Sequence, residues 1–538
     1  MRIYCLLFLP LLIFGHQLYA QTLPVTEEFS RRAQLRDSSG NQYSLMIRPV
    51  PISSIAKKHN DTNYASLNLL STPQTLSLTK AVNFRILPVT LRQQFNSHHP
   101  YSWNDGSMIP AKGHQWQFSM GFSANAGPLH LQFQPEIVQA TNKPFESIHS
   151  VQHDVVLQKY YPNVVNVIDA PERFGPGTYN KLFPGQSSIR INHKKLSFGI
   201  STENLWWGPG TRNSLLLTNT APGFTHLTFN SLAPIKTPIG SFEWQLIGGN
   251  LKGSGYVPSD TFRYSRLYVK KPDKDRYINA VIATWQPKWI KGLYLGASRV
   301  SYLYKSDLKK NVNGYLPVLG NLFKKNTINE DDKRRDQMIA AHFRLVLPKE
   351  LAEIYGEFGR NDHSADLRDL ILEPEHSRAY VLGLRKIFEL GKTEIEAYTE
   401  LTNLQITRTN EVREQENWYS HYQVLHGYTH MGQYIGAGIG SGSASQTIGL
   451  NLVKNKKQTA LYIDRIVRNN DFYYTAVGPY WNFSSHWVDL SLNVNKEWVF
   501  NRFLLKPQIS LIKSFNYQWM LKKDVTNLNV QLQSSYFF

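Results

Sequence analysis

One cysteine stands in 538 residues, Cys5, and it lies within the first twenty. After that leader the chain has no disulfide, no thiol chemistry, and no cysteine to take a lipid at a cleavage site. It has no later apolar run of the roughly 18–20 residues that a membrane-spanning helix needs. Acidic residues are also short: 40 Asp and Glu stand against 59 Lys and Arg, a formal net charge of +19. That balance favours anionic partners. Amphipathic helical stretches are few, which points to an all-β chain.

The leader, residues 1–20, is "MRIYCLLFLPLLIFGHQLYA". Arg2 supplies a positive n-region, residues 3–14 an apolar h-region, and Ala20 a small residue before the expected cut: a signal peptide for export. Export excludes nucleic acid as a natural partner and favours acidic polysaccharide or lipid phosphate. A long, exported, cysteine-free chain with 13% aromatic residues is either a soluble all-β protein or an outer-membrane barrel of a Gram-negative cell.

Alternation favours the barrel. Trp116, Phe118, Met120 and Phe122 share one parity, and Gln115, Gln117, Ser119 and Gly121 the other. Period two places these sets on opposite faces of a strand. Near the C-terminus, Leu528, Val530, Leu532, Tyr536 and Phe538 share a parity, and the chain stops on an aromatic residue. A final strand of this kind resembles the assembly signal of bacterial outer-membrane barrels.

Short connections recur near residues 126–128, 193–194, 287–290, 348–349, 390–392, 455–457 and 500–501. Longer ones alternate with them, at 140–186, 204–223, 251–276, 304–335, 361–376, 405–442 and 469–485. In such barrels short turns face the periplasm and long loops face outside. The expected architecture is a transmembrane antiparallel β-barrel of about 18 strands over residues 74–538, with a short periplasmic N-terminal extension over 21–73. A monomer is expected.

Inward parity on neighbouring strands carries His342 and Arg344, then Glu353 and Glu357, then Arg385, then Glu394, Glu396 and Glu400. Opposite charges on adjacent strands pair, so this set predicts a stabilising ladder rather than an ion path.

Several segments invite a functional reading. "GAGIGSGSAS" (436–445) has no Lys-Ser or Lys-Thr after it, so it is a close-packing glycine run and not a nucleotide loop. The segment 359–378 holds Asp362, His363 and His376, whose spacing matches no zinc motif and beside which no Ser, Cys or Thr stands out as a nucleophile. No catalytic residue, metal or cofactor is expected. His426, Tyr428 and His430 crowd together and suit sugar stacking or an aromatic girdle. Loops 251–276 and 304–335 are rich in base, including Lys270, Lys271, Lys305, Lys310, Arg334 and Arg335. They are expected to meet acidic polysaccharide or the phosphates of lipopolysaccharide and outer-membrane lipid. In "NLWWGPG" (204–210), alternation predicts that one of Trp206 and Trp207 faces lipid and the other the lumen. Direct sugar stacking by the inner ring is the competing role for that pair.

"YSWNDGSMIPAKG", "NLWWGPG" with "SLLLTNTAPGF", "GEFGRNDHS…EPEHSRAYVLGL" and "HGYTHMGQYIGAGIGSGS", in that order over residues 80–538, resemble the capsule-assembly Wzi family. The resemblance implies an eighteen-stranded barrel with a periplasmic N-terminal part. It also implies a non-enzymatic, lectin-like role, anchoring capsular polysaccharide at the cell surface. The alternative function is a diffusion channel or glycan transporter, which needs an open lumen.

Overall fold

The computed structural model describes residues 25–36, 42–50, 75–79, 82–258, 263–315, 335–361, 367–411, 413, 415–454, 457–479 and 483–538. The signal peptide therefore lies outside the described residues, as do Asp362, His363 and Arg334.

The wall is a closed antiparallel barrel of 18 strands. It runs from Val82–Asn96 through Gly113–Ala126 and two strands that are each interrupted once. These are Leu129–Phe133 with Glu136–Ala140, and Tyr179–Phe183 with Ser188–His193. Leu196–Ser201, His226–Ser231 and Gly240–Leu251 follow, then Arg276–Pro287, Leu293–Tyr304, Arg335–Leu347 and Ala352–Asn361. The last strands are Arg378–Leu390, Thr393–Asn403, Ala444–Lys454, Lys457–Val467, Val488–Phe500, Phe503–Phe515 and Val525–Tyr536. Closure comes from Val525–Tyr536 against Val82–Asn96, with Val530 opposite Phe95. In that first strand the register slips between Leu87 and Thr90. Pro88 sits at the slip, where it has no N–H to give to a neighbour.

The parities fall as the sequence predicts. Ile448, Leu450 and Leu452 face outward and exposed, beside Leu461 and Ile463 of the next strand, while Ser445, Thr447 and Asp464 are buried within. At one end the strands join through tight turns, with left-handed residues such as Asn501 and Gly391. The long loops gather at the other end.

The described part of the N-terminal extension lies against the inner wall at the short-turn end. The helix Val25–Gln34 carries Arg31 and Arg32 in its last turn, where the helix dipole favours cations. Arg31 and Arg344 both bind Glu353, and Arg385 lies 3.5 Å from it. Arg32 and Arg385 each pair with Glu396 at 2.5 Å, and Arg36 with Glu394 at 2.9 Å. The inter-strand ladder thus exists, and three of its cations come from outside the wall. Buried carboxylates of this kind are tolerable only when each is fully paired.

Candidate functional site

The segment between strands Leu196–Ser201 and His226–Ser231 turns into the lumen and is held there by two wall glutamates. Glu400 accepts hydrogen bonds from the backbone N–H groups of Thr211 (2.7 Å), Arg212 (3.0 Å) and Asn213 (2.8 Å), and from the Tyr355 hydroxyl (2.9 Å). Three successive N–H groups on one carboxylate form an anion cradle made of backbone. Glu357 accepts from Ser214 Oγ (3.0 Å) and Leu215 N–H (2.9 Å). The close approach needs Gly208, whose φ is +126° and where any Cβ would overlap the Glu357 carboxylate. Arg212 then pairs with Asp464 at 2.8 Å and lies 4.0 Å over the Trp103 ring.

The expectation that one tryptophan faces lipid is overturned. Trp206–Trp207 leaves the wall and pairs with Ile47–Arg48 as a separate two-stranded sheet. Trp207 is 0% exposed and donates Nε1–H to Gln245 Oε1 at 2.9 Å, while Trp206 is 5% exposed beneath the Arg48 guanidinium. Strand alternation gives the wrong environment because the chain has already left the sheet of the wall at this point. Neither ring presents a face to solvent.

Above this insert the loops pack into a cap. Tyr419 and Tyr428 stack at 5.8 Å and donate their hydroxyls to Leu215 and Leu216 carbonyls at 2.7 and 2.8 Å. Gly436 is the contact point, because a Cβ there would meet the Tyr419 hydroxyl and the Leu215 carbonyl at 2.5 and 2.6 Å. The glycine run therefore packs closely, although through turns rather than as an extended strand.

His426 and His430 are brought together with Lys271, beneath the surface. Burial pushes both imidazoles down to about 3, with Arg276 close by adding to the effect, so neither carries charge near neutrality. His426 Nδ1 lies 3.0 Å from the Tyr304 hydroxyl, and His430 Nδ1 accepts the Lys252 N–H at 3.1 Å. Lys271 Nζ donates to the Val165 and Leu425 carbonyls at 2.7 and 2.9 Å, and burial lowers its pKa to about 8. These groups stitch the cap together. Lys270, next in sequence, is exposed instead, and Arg335 opens a wall strand at the same end. His376 follows Glu373, which Arg413 holds at 2.7 Å. Among the described residues no three His, Cys, Asp or Glu side chains gather as a metal set.

One feature of the cap's outer face escaped sequence reasoning. Tyr422 is 49% exposed and lies parallel to His421, ring centroids 5.2 Å apart and planes 4° from coplanar. His421 Nδ1 accepts the N–H groups of Gln423 and Val424, each at 3.0 Å, which fixes the ring and the tyrosine on it. His421 N–H donates to the Val167 carbonyl, Asn166 bonds Leu267 and Val269, and Lys271 bonds Leu425. Segments 165–167, 266–271 and 421–425 are thus hydrogen-bonded together, with Tyr422 and Lys270 exposed on two of them. An aromatic plate suits a pyranose face, and an ammonium suits a sugar carboxylate.

Comparison places this architecture. No curated protein sequence matches the chain. Among solved structures it is similar to Wzi of Escherichia coli, described as an outer-membrane protein involved in group 1 capsule assembly and a carbohydrate-binding β-barrel. The TM-score is 0.60 at 13% identity, covering 95% of this chain and 98% of that one. OccAB2 of Acinetobacter baumannii gives a TM-score of 0.41 at 10% identity over 84% and 97% of the two chains. The family model described as capsule assembly protein Wzi matches residues 90–535. With a closed barrel in the outer membrane and a match over most of its length, the chain belongs to the Wzi capsule-assembly family.

Proposed function

We propose that this barrel holds capsular polysaccharide on the outer face of its cap and performs no chemistry on it. The observation that carries this reading is the occupation of the lumen by the protein's own chain. Glu400 and Glu357 spend their hydrogen-bonding capacity on the inserted segment, and Glu353 and Glu396 on arginines of the N-terminal helix. A diffusion pathway needs those groups facing water. The outer face remains, and there Tyr422 and Lys270 offer an aromatic plate and a cation to an acidic glycan. The related Escherichia coli barrel is described as carbohydrate binding, which agrees with this reading. The protein acts as a monomer in this account.

A deletion strain stained for cell-bound and shed polysaccharide tests the proposal. Polysaccharide made in normal amounts but lost to the medium is the expected result. Unchanged retention overturns it.

A further inference from the structure

The wall carries a second surface that glycan anchoring does not use. A groove of about 500 Å³ opens on the outward face of the barrel, near the long-loop end. Its floor includes Ile200 and Leu227, both half exposed and continuous with the apolar belt. Gly248 deepens it, since a Cβ there would come within 2.5 Å of the Tyr277 hydroxyl. One bank is the segment after strand Leu293–Tyr304, which overhangs the wall. Tyr277 donates its hydroxyl to the Tyr315 carbonyl at 3.0 Å, with the two rings edge to face at 5.6 Å. Lys305 and Lys310 line the same groove.

The wall beside it is polar at its outward parity, where Ser301 and Asn279 are covered and Arg299 stays partly exposed. Val300 and Tyr302 belong to the inner core, so Arg299 and Ser301 take the outward parity. Arg299 donates to Gln337 Oε1 at 2.7 Å, and Ser301 Oγ to Asn279 Oδ1 at 3.2 Å. Charged groups on a lipid-facing strand are costly at the bilayer midplane and nearly neutral near the interface. A partly exposed arginine at outward parity, on the strand whose end leads into Lys305, together with two lysines lining an apolar floor, marks the depth where acyl chains give way to headgroups.

We propose that this groove is a docking site for one phosphorylated glycolipid of the outer leaflet, its acyl chain on Ile200, Leu227 and Gly248 and its phosphate against Lys305 and Lys310. The position fixes the occupant. A surface continuous with the lipid-facing belt meets the outer leaflet, whereas a soluble polysaccharide has no use for an apolar floor. Phosphate on an ammonium supplies charge complementarity, and the overhang supplies shape. Docked lipid would tie the overhanging segment to the membrane and set the height of the cap above it. The inference is independent of glycan binding on the cap.

The test uses purified full-chain protein in detergent, titrated with hexa-acylated lipid A carrying two phosphates and with the same lipid after dephosphorylation, read by native mass spectrometry. Lys305→Glu with Lys310→Glu is expected to weaken the phosphorylated probe at least tenfold and leave the dephosphorylated one unchanged. Gly248→Leu, which fills the groove, is expected to weaken both. Equal affinity of wild type for the two probes, or no loss in the lysine variant, overturns the proposal. So does a lysine variant that loses acidic polysaccharide while keeping lipid A. Both lysines are at the surface, so their replacement keeps the test open if Gly248→Leu does not assemble.

Discussion

Arg48 lies over the Trp206 ring, 4.5 Å from its centroid, and donates to the Gly208 and Gly210 carbonyls at 3.0 and 2.6 Å. One arginine of the N-terminal segment therefore clamps both halves of the Trp-Trp-Gly-Pro-Gly turn. The turn needs the clamp because its carbonyls are buried in the lumen, away from water and from any strand partner.

Replacing Arg48 with alanine removes those donors and the cation–π contact. The expected loss is about 2–4 kcal/mol of stability, since two buried carbonyls lose their partner. It is measured as a lower temperature for the heat-induced shift in gel mobility. Arg48→Lys is expected to recover only part, because an ammonium cannot lie flat over the Trp206 ring while its one nitrogen reaches both carbonyls.

Glu400→Ala is expected to free the inserted loop. Five donors lose their acceptor: the N–H groups of Thr211, Arg212 and Asn213 and the hydroxyls of Thr211 and Tyr355. Limited trypsin digestion of the folded barrel checks this, with new cleavage after Arg212 in the variant and none in wild type.

The cap has its own pH dependence through Asp471. Burial pushes its carboxyl from 3.8 up to about 7, against one opposing hydrogen bond from the Ile406 N–H at 3.1 Å. The folded state therefore holds this proton more tightly than the unfolded chain between those two values. The group costs nothing below about pH 4, and cap stability falls as pH rises to about 7. Asp471→Asn keeps an acceptor for Ile406 and removes the titration. Its melting temperature is expected to equal that of wild type near pH 4 and to exceed it at pH 8.

The two kinds of aromatic residue separate in their effects. Trp207→Ala empties a fully buried site and is expected to cost about 3–5 kcal/mol, with glycan binding per folded molecule unchanged. Planar-bilayer recordings are expected to show no steady large channels in wild type. Steady conductance would instead support the channel reading.

The wall was legible because its physics is local. Alternation and turn length are properties of neighbouring residues, and they yielded the 18-stranded barrel and its charged interior. What the sequence could not display is where chain leaves the wall. Trp206 and Trp207 follow a strand with the right parity for a girdle, yet their environment is decided by Arg48, more than 150 residues away. A partial signal existed. Glu400 faces Gly383 and Thr447 across the sheet, and Glu357 faces Val381 and His342, so neither has an arginine opposite. Inward carboxylates without a cross-strand cation need partners from elsewhere, and here these are backbone amides of an inserted loop. His426, Tyr428 and His430 do lie together as their spacing suggests, but burial turns the cluster into packing. Tyr422 was missed because its stacking on His421 depends on loop geometry that period and composition do not encode.

The most direct test of the central claim is equilibrium binding of an acidic polysaccharide, isolated from the surface of cells that make this protein, to purified protein carrying Tyr422→Ala and Lys270→Glu. The account predicts at least tenfold weaker binding with an unchanged melting transition. Binding equal to wild type in the folded variant would contradict it.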